Sequence, residues 1–307
     1  MWNRVPYLRR WARLGLAVLL FLAGCAGKPE PFAQQVQRIN EASIQGDQRL
    51  SQGDLKRASR DFSRALALSR AVDYPQGSAQ QLNNLGAVAL EDGDLKEARE
   101  CFTQAYDLNR DLKLWDAASI NQANLATVAQ KEGNSGSASQ HLLAAQEAAR
   151  QSRNFPAMGR VYLQWAGFYL DQGDPAAAQD MLNRAQPLAT TPALKGTLFH
   201  HQGRLALVRG DTAQALERFT LALGTDRTIL DRAAMAGDLY FLGEVYRARG
   251  DLPQAWEYYV RAFDVYAGLG RRSQLDRCLK RLQEVNRQGG LGRSLERFEK
   301  AAKPGPS

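Results

Sequence analysis

The chain has 307 residues, a formal charge of +8 and three cysteines. Four of its cations, Arg4, Arg9, Arg10 and Arg13, stand in an N-terminal segment expected to be removed, which leaves an excess of +4. So mild a balance describes a solvated mixed-charge surface and argues against a nucleic-acid partner. Cys25, Cys101 and Cys278 are too few and too scattered for a disulfide framework or a metal cluster.

Residues 1–24 combine that basic start with the apolar run LGLAVLLFLA, which is too short for a comfortable membrane span and has the layout of a secretory signal. It ends at Leu22-Ala23-Gly24-Cys25, which resembles the bacterial lipoprotein box. The resemblance implies cleavage before Cys25 and acylation of that residue. It also implies sorting to the outer membrane, facing the periplasm, because Ala26 stands where inner-membrane lipoproteins carry Asp. Residues 25–33, with Pro29 and Pro31, form the expected lipidated tether.

From residue 34 to 302 a single pattern recurs. A glycine followed by Asp or Asn stands at Gly53, Gly93, Gly133, Gly173, Gly210 and Gly250, in steps of 40, 40, 40, 37 and 40 residues. Five residues after each comes an alanine (Ala58, Ala98, Ala138, Ala178, Ala215, Ala255), and nine after it a bulky apolar residue (Phe62, Phe102, Leu142, Leu182, Phe219, Tyr259). Twelve after it is a second alanine (Ala65, Ala105, Ala145, Ala185, Ala222, Ala262). Gly289 with Ser294, Phe298 and Ala301 fits as a degenerate seventh copy. Apolar residues in each copy keep helical spacing, so every copy predicts two amphipathic helices around a Gly-Asp corner. Such a hairpin cannot cover its own apolar faces and must stack on its neighbours.

The corners have a mechanical reading. Glycine tolerates the left-handed conformation that ends one helix, and the following Asp or Asn accepts bonds from the free N–H groups of the next. Asp94 with Glu97, Asp211 with Gln214 and Asp251 with Gln254 have capping-box spacing. Pro175 is expected at the first helical position, and a turn is expected around Asp73-Tyr74-Pro75. Unit four stops at Pro187, and Thr190-Thr191-Pro192 makes a compact link where the step shortens. Unit one is expected to hold helices near 34–52 and 54–73, and residues 303–307 to form a disordered tail.

On these residues the chain resembles tetratricopeptide repeats, whose small residue has counterparts at Gly46, Gly86, Ala126, Ala166, Gly203 and Gly243. The period exceeds the usual ~34 residues, and Arg70, Arg110, Arg150 and Arg227 occupy the places of the family's closing proline. The resemblance implies an all-α, right-handed solenoid of helix-turn-helix repeats that binds proteins or extended peptides in a concave groove lined by the first helix of each unit.

No catalytic constellation, cofactor motif or metal-ligand spacing is present in the sequence, so no enzyme activity, cofactor or metal is expected. His200 and His201 are adjacent on a helix, whereas two ligands to one metal favour a spacing of three or four. Taking the residue nine before each corner glycine yields Ile44, Asn84, Asn124, Gln164, His201 and Phe241. Asn84, Asn124, Gln164 and His201 thus form a polar ladder, and side-chain amides both donate and accept, as pairing with a peptide main chain requires. The asparagines match places where related extended-repeat proteins hold peptide; the alternative is that these amides satisfy neighbouring helices. Lys131, Arg160, Arg204 and Arg247 face the same way, against Asp47, Glu91, Asp171 and Glu244, a slight basic lean toward an acidic peptide end. Trp165, Tyr169, Tyr240 and Tyr246 are expected to pack between units.

The expectation for function is an outer-membrane lipoprotein acting as an interaction scaffold for other envelope proteins, resembling pilotin-type assembly factors in carrying a lipobox ahead of about six repeats. Two alternatives stand beside it: an adaptor presenting substrates to a periplasmic protease or cell-wall hydrolase, and an enzyme using the groove as its active site.

Overall fold

A computed structural model describes residues 31–302. The signal segment, Cys25 and the tail at 303–307 lie outside the described residues. Fourteen α-helices follow in order among the described residues: α1 (Pro31–Ser51), α2 (Leu55–Ala71), α3 (Pro75–Asp92), α4 (Leu95–Asp111), α5 (Trp115–Lys131), α6 (Ser135–Ser152) and α7 (Phe155–Asp171). They continue as α8 (Pro175–Ala185), α9 (Pro192–Val208), α10 (Thr212–Thr228), α11 (Arg232–Ala248), α12 (Leu252–Gly268), α13 (Arg272–Gln288) and α14 (Glu296–Ala302). Helix α1 takes in Pro31, Phe32 and Ala33, so the last three residues of the expected tether are helical.

Consecutive helices pack as antiparallel pairs, and each pair packs on the next, as expected of an all-α, right-handed solenoid. First helices also touch one another, α1 on α3, α5 on α7, α7 on α9 and α9 on α11. Among the described residues no pair of second helices packs as closely. First helices therefore crowd the inside of the curve and second helices splay on the outside.

The six corner glycines all adopt φ between 75° and 90°. At Gly133, the glycine N–H donates to Gln130 O at 3.0 Å and the N–H of Asn134 to Ala129 O at 2.9 Å, which satisfies the last carbonyls of α5. Each following carboxylate or amide then caps the next helix, as in Asp94 Oδ1 accepting from the Glu97 N–H at 2.9 Å. The capping box is only half made. The N–H of Asp94 is already bonded to Ala89 O, so nothing is left for the Glu97 side chain to accept.

The seventh corner lies one residue later than the sequence pattern placed it. Gly289 is a right-handed helix cap at φ −86°, and Gly290 takes the left-handed conformation at φ 55°. The step from Gly250 is thus also 40 residues. After it the chain runs non-helically to α14, whose Phe298 still reaches the core, edge-on to Trp256 and Phe263. Five of the six turns back to a first helix use left-handed residues as well: Asp73, Lys113, Arg153, Leu230 and Gly270, the exception being the turn into α9. Carbonyls of Arg70, Arg110, Arg150 and Arg227 accept the N–H of that residue in the first four of these turns, which explains how the units close without the family's proline.

Inside each pair, size is matched across the helices. A β-carbon built on Gly46, Gly86, Gly203 or Gly243 would lie 2.5 to 2.9 Å from the ring of Phe62, Phe102, Phe219 or Tyr259, respectively. Where the first helix instead carries Ala126 or Ala166, the facing residue is the smaller Leu142 or Leu182. Unit four is shortened because α8 ends at Ala185 and a 3₁₀ turn (Gln186–Leu188) leads to Thr191, whose hydroxyl caps α9.

This matching generates a test. Gly86→Ala should lower the unfolding free energy by about 1–3 kcal/mol through overpacking, and Phe102→Leu in the same chain should return much of that loss. Chemical denaturation of the two variants followed by circular dichroism checks the pairing. A double variant no better than Gly86→Ala alone would count against it.

Candidate functional site

The inner row is built by one face of the first helices meeting the same face of the next. Arg204 of α9 pairs with Asp171 of α7 at 2.5 Å, and its guanidinium lies 5.6 Å from the Phe241 ring of α11. Arg281 of α13 donates to Glu244 of α11 at 2.7 Å. Asn84, Asn124, Gln164, His201 and Phe241 stand on the first helices α3, α5, α7, α9 and α11. The members of the expected ladder are not equivalent.

Asn124 is bonded to the neighbouring unit: its Nδ2 donates to Asn83 Oδ1 at 3.0 Å. Asn83 Oδ1 also accepts from Asn121 Nδ2 at 3.0 Å, and Asn121 Oδ1 accepts from Asn109 Nδ2 at 2.7 Å. Four asparagines thus join α3, α4 and α5, beside a shallow pocket of ≈ 300 Å³ lined by Gln76, Gln80, Asn83 and Ile120. Asn84 and Gln164 make no side-chain hydrogen bond among the described residues and are half-buried, so their amides remain free to pair. His201 is placed differently. Its ring covers Gly167, where a β-carbon would meet Cε1 at 3.0 Å, and its Nδ1 has neither solvent nor a partner. Burial, then the neighbouring His200 and Arg204, hold it well below the usual imidazole range.

The expected basic lean is largely spent. Arg160 faces Asp116 at 3.5 Å, Arg204 holds Asp171, and Arg247 grips Glu244 at 2.8 Å in its own helix. Glu244 also accepts from the Tyr259 hydroxyl at 2.8 Å. Burial pushes that carboxyl up, but bonds from Arg247 and Tyr259 and the charge of Arg281 outweigh it and hold it below the ordinary range. Arg277 was not foreseen: it makes no ion pair among the described residues and sits 4.1 Å over the Tyr240 ring. Trp165 and Tyr240 are buried, Trp165 stacks on Tyr169 at 5.4 Å and Tyr246 on Tyr258 at 5.2 Å, so these aromatics pack the solenoid.

Three repeat steps on, 117 residues later, the asparagine positions 83, 109 and 121 become His200, Asp226 and Asp238. His200 Nδ1 lies 2.7 Å from Asp238 Oδ1, and the Asp226 carboxyl stands beside that of Asp238. Asp238 Oδ2 is buried with no donor in reach unless one of the two carboxyls keeps its proton. Burial pushes Asp226 up to about 7 and Asp238 up to about 8. Burial and the guanidinium of Arg204 lower His200 to about 3, so it is neutral. Among the described residues no group of His, Cys, Asp or Glu is arranged to hold a metal ion. Cys101 and Cys278 are free, buried thiols, with burial pushing them up to about 11 and about 12.

The sign of the pH effect follows from the raised carboxyl values. Between the unfolded value near 4 and the folded values of about 7 and 8 the folded pair binds more protons, so its contribution to stability falls as pH rises through that window. Unfolding measured from pH 5 to 9 should show this loss, at a slope of up to about 1.4 kcal/mol per pH unit for each proton. Asp226→Asn with Asp238→Asn, which imitates the asparagine cluster, should flatten the curve.

Comparison with known proteins came down on the same repeats. A tetratricopeptide repeat family model matches residues 40–111 and a second matches residues 239–255. No curated protein matches the chain. Among solved structures it is similar to the apo form of RapI, with TM-score 0.60 and 13% identity, covering 76% of this chain and 85% of that one. It is similar also to a Rap protein complexed with competence and sporulation factor, with TM-score 0.57, 14% identity, and coverage of 85% and 76%. BtubC from P. vanneervenii aligns at TM-score 0.53 and 18% identity over 70% of this chain and 92% of that one. At such identities the likeness establishes the fold alone. Residues 40–111 and 239–255 match tetratricopeptide repeats, and the described residues wind into an all-helical solenoid of that kind.

Proposed function

We propose that this protein is an interaction scaffold whose inner row receives an extended segment of a partner protein. Tetratricopeptide repeats imply protein–protein interaction, and one structure of similar fold was solved with its factor bound. The observation that carries the reading here is the pair of uncommitted, half-buried amides, Asn84 and Gln164, in a row where Asn124 is bonded to its neighbour and the His201 ring is buried over Gly167. An extended main chain offers donors and acceptors at regular intervals, and such amides can serve either.

In this proposal Cys25 carries acyl chains that hold the solenoid at the periplasmic face of the outer membrane, and the partners are envelope proteins. The support is the coincidence of basic segment, apolar run and Leu22-Ala23-Gly24-Cys25. At about 0.8 kcal/mol per buried methylene, several chains anchor a protein durably. Within that setting we favour assembly of a secretin or pilus system, on the order of lipobox and repeats.

Asn84→Ala with Gln164→Ala should weaken binding of the captured partner about tenfold, as loss of two net hydrogen bonds implies, with helicity unchanged. Crosslinking in the envelope followed by affinity measurement on the identified partner checks this. Secretin or pilus components among the captured proteins support the assembly role, whereas a protease or amidase redirects it to an adaptor. Separately, Cys25→Ser should move the protein from the membrane to the soluble fraction on fractionation, and unchanged membrane retention would remove the lipid anchor from the proposal.

A further inference from the structure

Five of the six corner glycines, Gly93, Gly133, Gly173, Gly210 and Gly250, have open space where a side chain would point. Gly53 does not. A β-carbon there would lie 2.4 Å from the carbonyl carbon of Leu269, and one on Gly270 would lie 3.1 Å from the carbonyl oxygen of Gly53. The corner of the first unit therefore rests on the turn between α12 and α13, 217 residues further along the chain. A solenoid whose units touch only sequential neighbours has no such contact.

Charge completes it. Arg271 forms an ion pair with Glu91 of α3, with the two side chains 20% and 25% exposed. Asp54, Lys56, Asp92 and Arg272 line the cleft around it. The turn that makes this contact departs from its counterparts at one position. The left-handed position is Gly270, where the other turns carry Asp73, Lys113, Arg153 and Leu230, and a side chain there would strike Gly53. The helix-capping position is Arg271, which gives α13 no side-chain cap, as Tyr74 and Leu114 give none to α3 and α5, and its guanidinium is paired with Glu91 instead.

We propose that the two ends of the solenoid latch to each other through the Gly53–Gly270 contact and the Arg271–Glu91 ion pair, closing the inner row into a ring. Glu91 stands on the inner face of the second unit, so the latch forms part of the rim of the groove. An extended segment enters such a ring end-on, and a folded partner only when the latch opens. The inference is independent of what occupies the groove.

Two measurements on the full chain test it. In an Arg271→Lys chain, zero-length carbodiimide coupling should join Lys to Glu91 within one molecule, and Glu91→Gln should reduce the yield more than tenfold. Mixed isotope-labelled and unlabelled chains distinguish this from coupling between copies, and a coupling found only between copies overturns the latch. Spin labels at Ser63→Cys and Asp276→Cys report the distance across the ring. Arg271→Glu should lengthen and broaden that distance, and Arg271→Glu with Glu91→Arg should restore it. An unaltered distance in a folded Arg271→Glu chain overturns the proposal. Where that variant does not fold, the coupling experiment decides.

Discussion

The fold depends on a volume constraint inside each helical pair. The first helix approaches the second so closely that a bulky residue on one side requires a missing side chain on the other. Glycine faces phenylalanine or tyrosine in four units, and alanine faces leucine in two. Close-packed interiors leave no slack for an extra methyl group, so the pair of residues varies together while their combined volume is conserved. The flanking alanines at Ala58, Ala98, Ala138, Ala178, Ala215 and Ala255, none of them measurably exposed, hold the same approach one turn away.

With the pairs fixed, the curvature follows from what joins one pair to the next. First helices meet through polar groups as well as apolar ones, and the same structural position is solved twice. Between units two and three it is an asparagine cluster, neutral and bonded at any pH. Between units five and six it is a histidine and two aspartates, whose burial is tolerable only while a proton is shared. Low surroundings of polarity make an unpaired carboxylate costly. The C-terminal half of the solenoid therefore carries an ionisable joint where the N-terminal half has an inert one.

That difference bears on the groove. Its N-terminal part presents amides, of which Asn124 is tied to its neighbour and Asn84 and Gln164 are not. Its C-terminal part instead covers aromatic rings with guanidiniums, Arg277 lying over the buried Tyr240 and both Arg277 and Arg204 over Phe241. Closure by Arg271 and Glu91 would bring these two ends of the row near one another.

Much of this was legible in the residues alone. The repeat, its corners, their caps and the pairing of helices follow from local rules: glycine for a positive φ, Asp or Asn for exposed N–H groups, and apolar spacing at the helical period. Those rules act over a few residues, so a sequence records them directly. The shift of the last corner from Gly289 to Gly290 escaped because a Gly-Gly pair offers the left-handed conformation at either position. Which groove amides are free, which cations are neutralised, why His201 covers Gly167, and that Gly53 lies on Gly270 were decided only by the tertiary structure. Each depends on the angle accumulated from unit to unit, and small rotations summed over seven units leave no mark on any single stretch of chain.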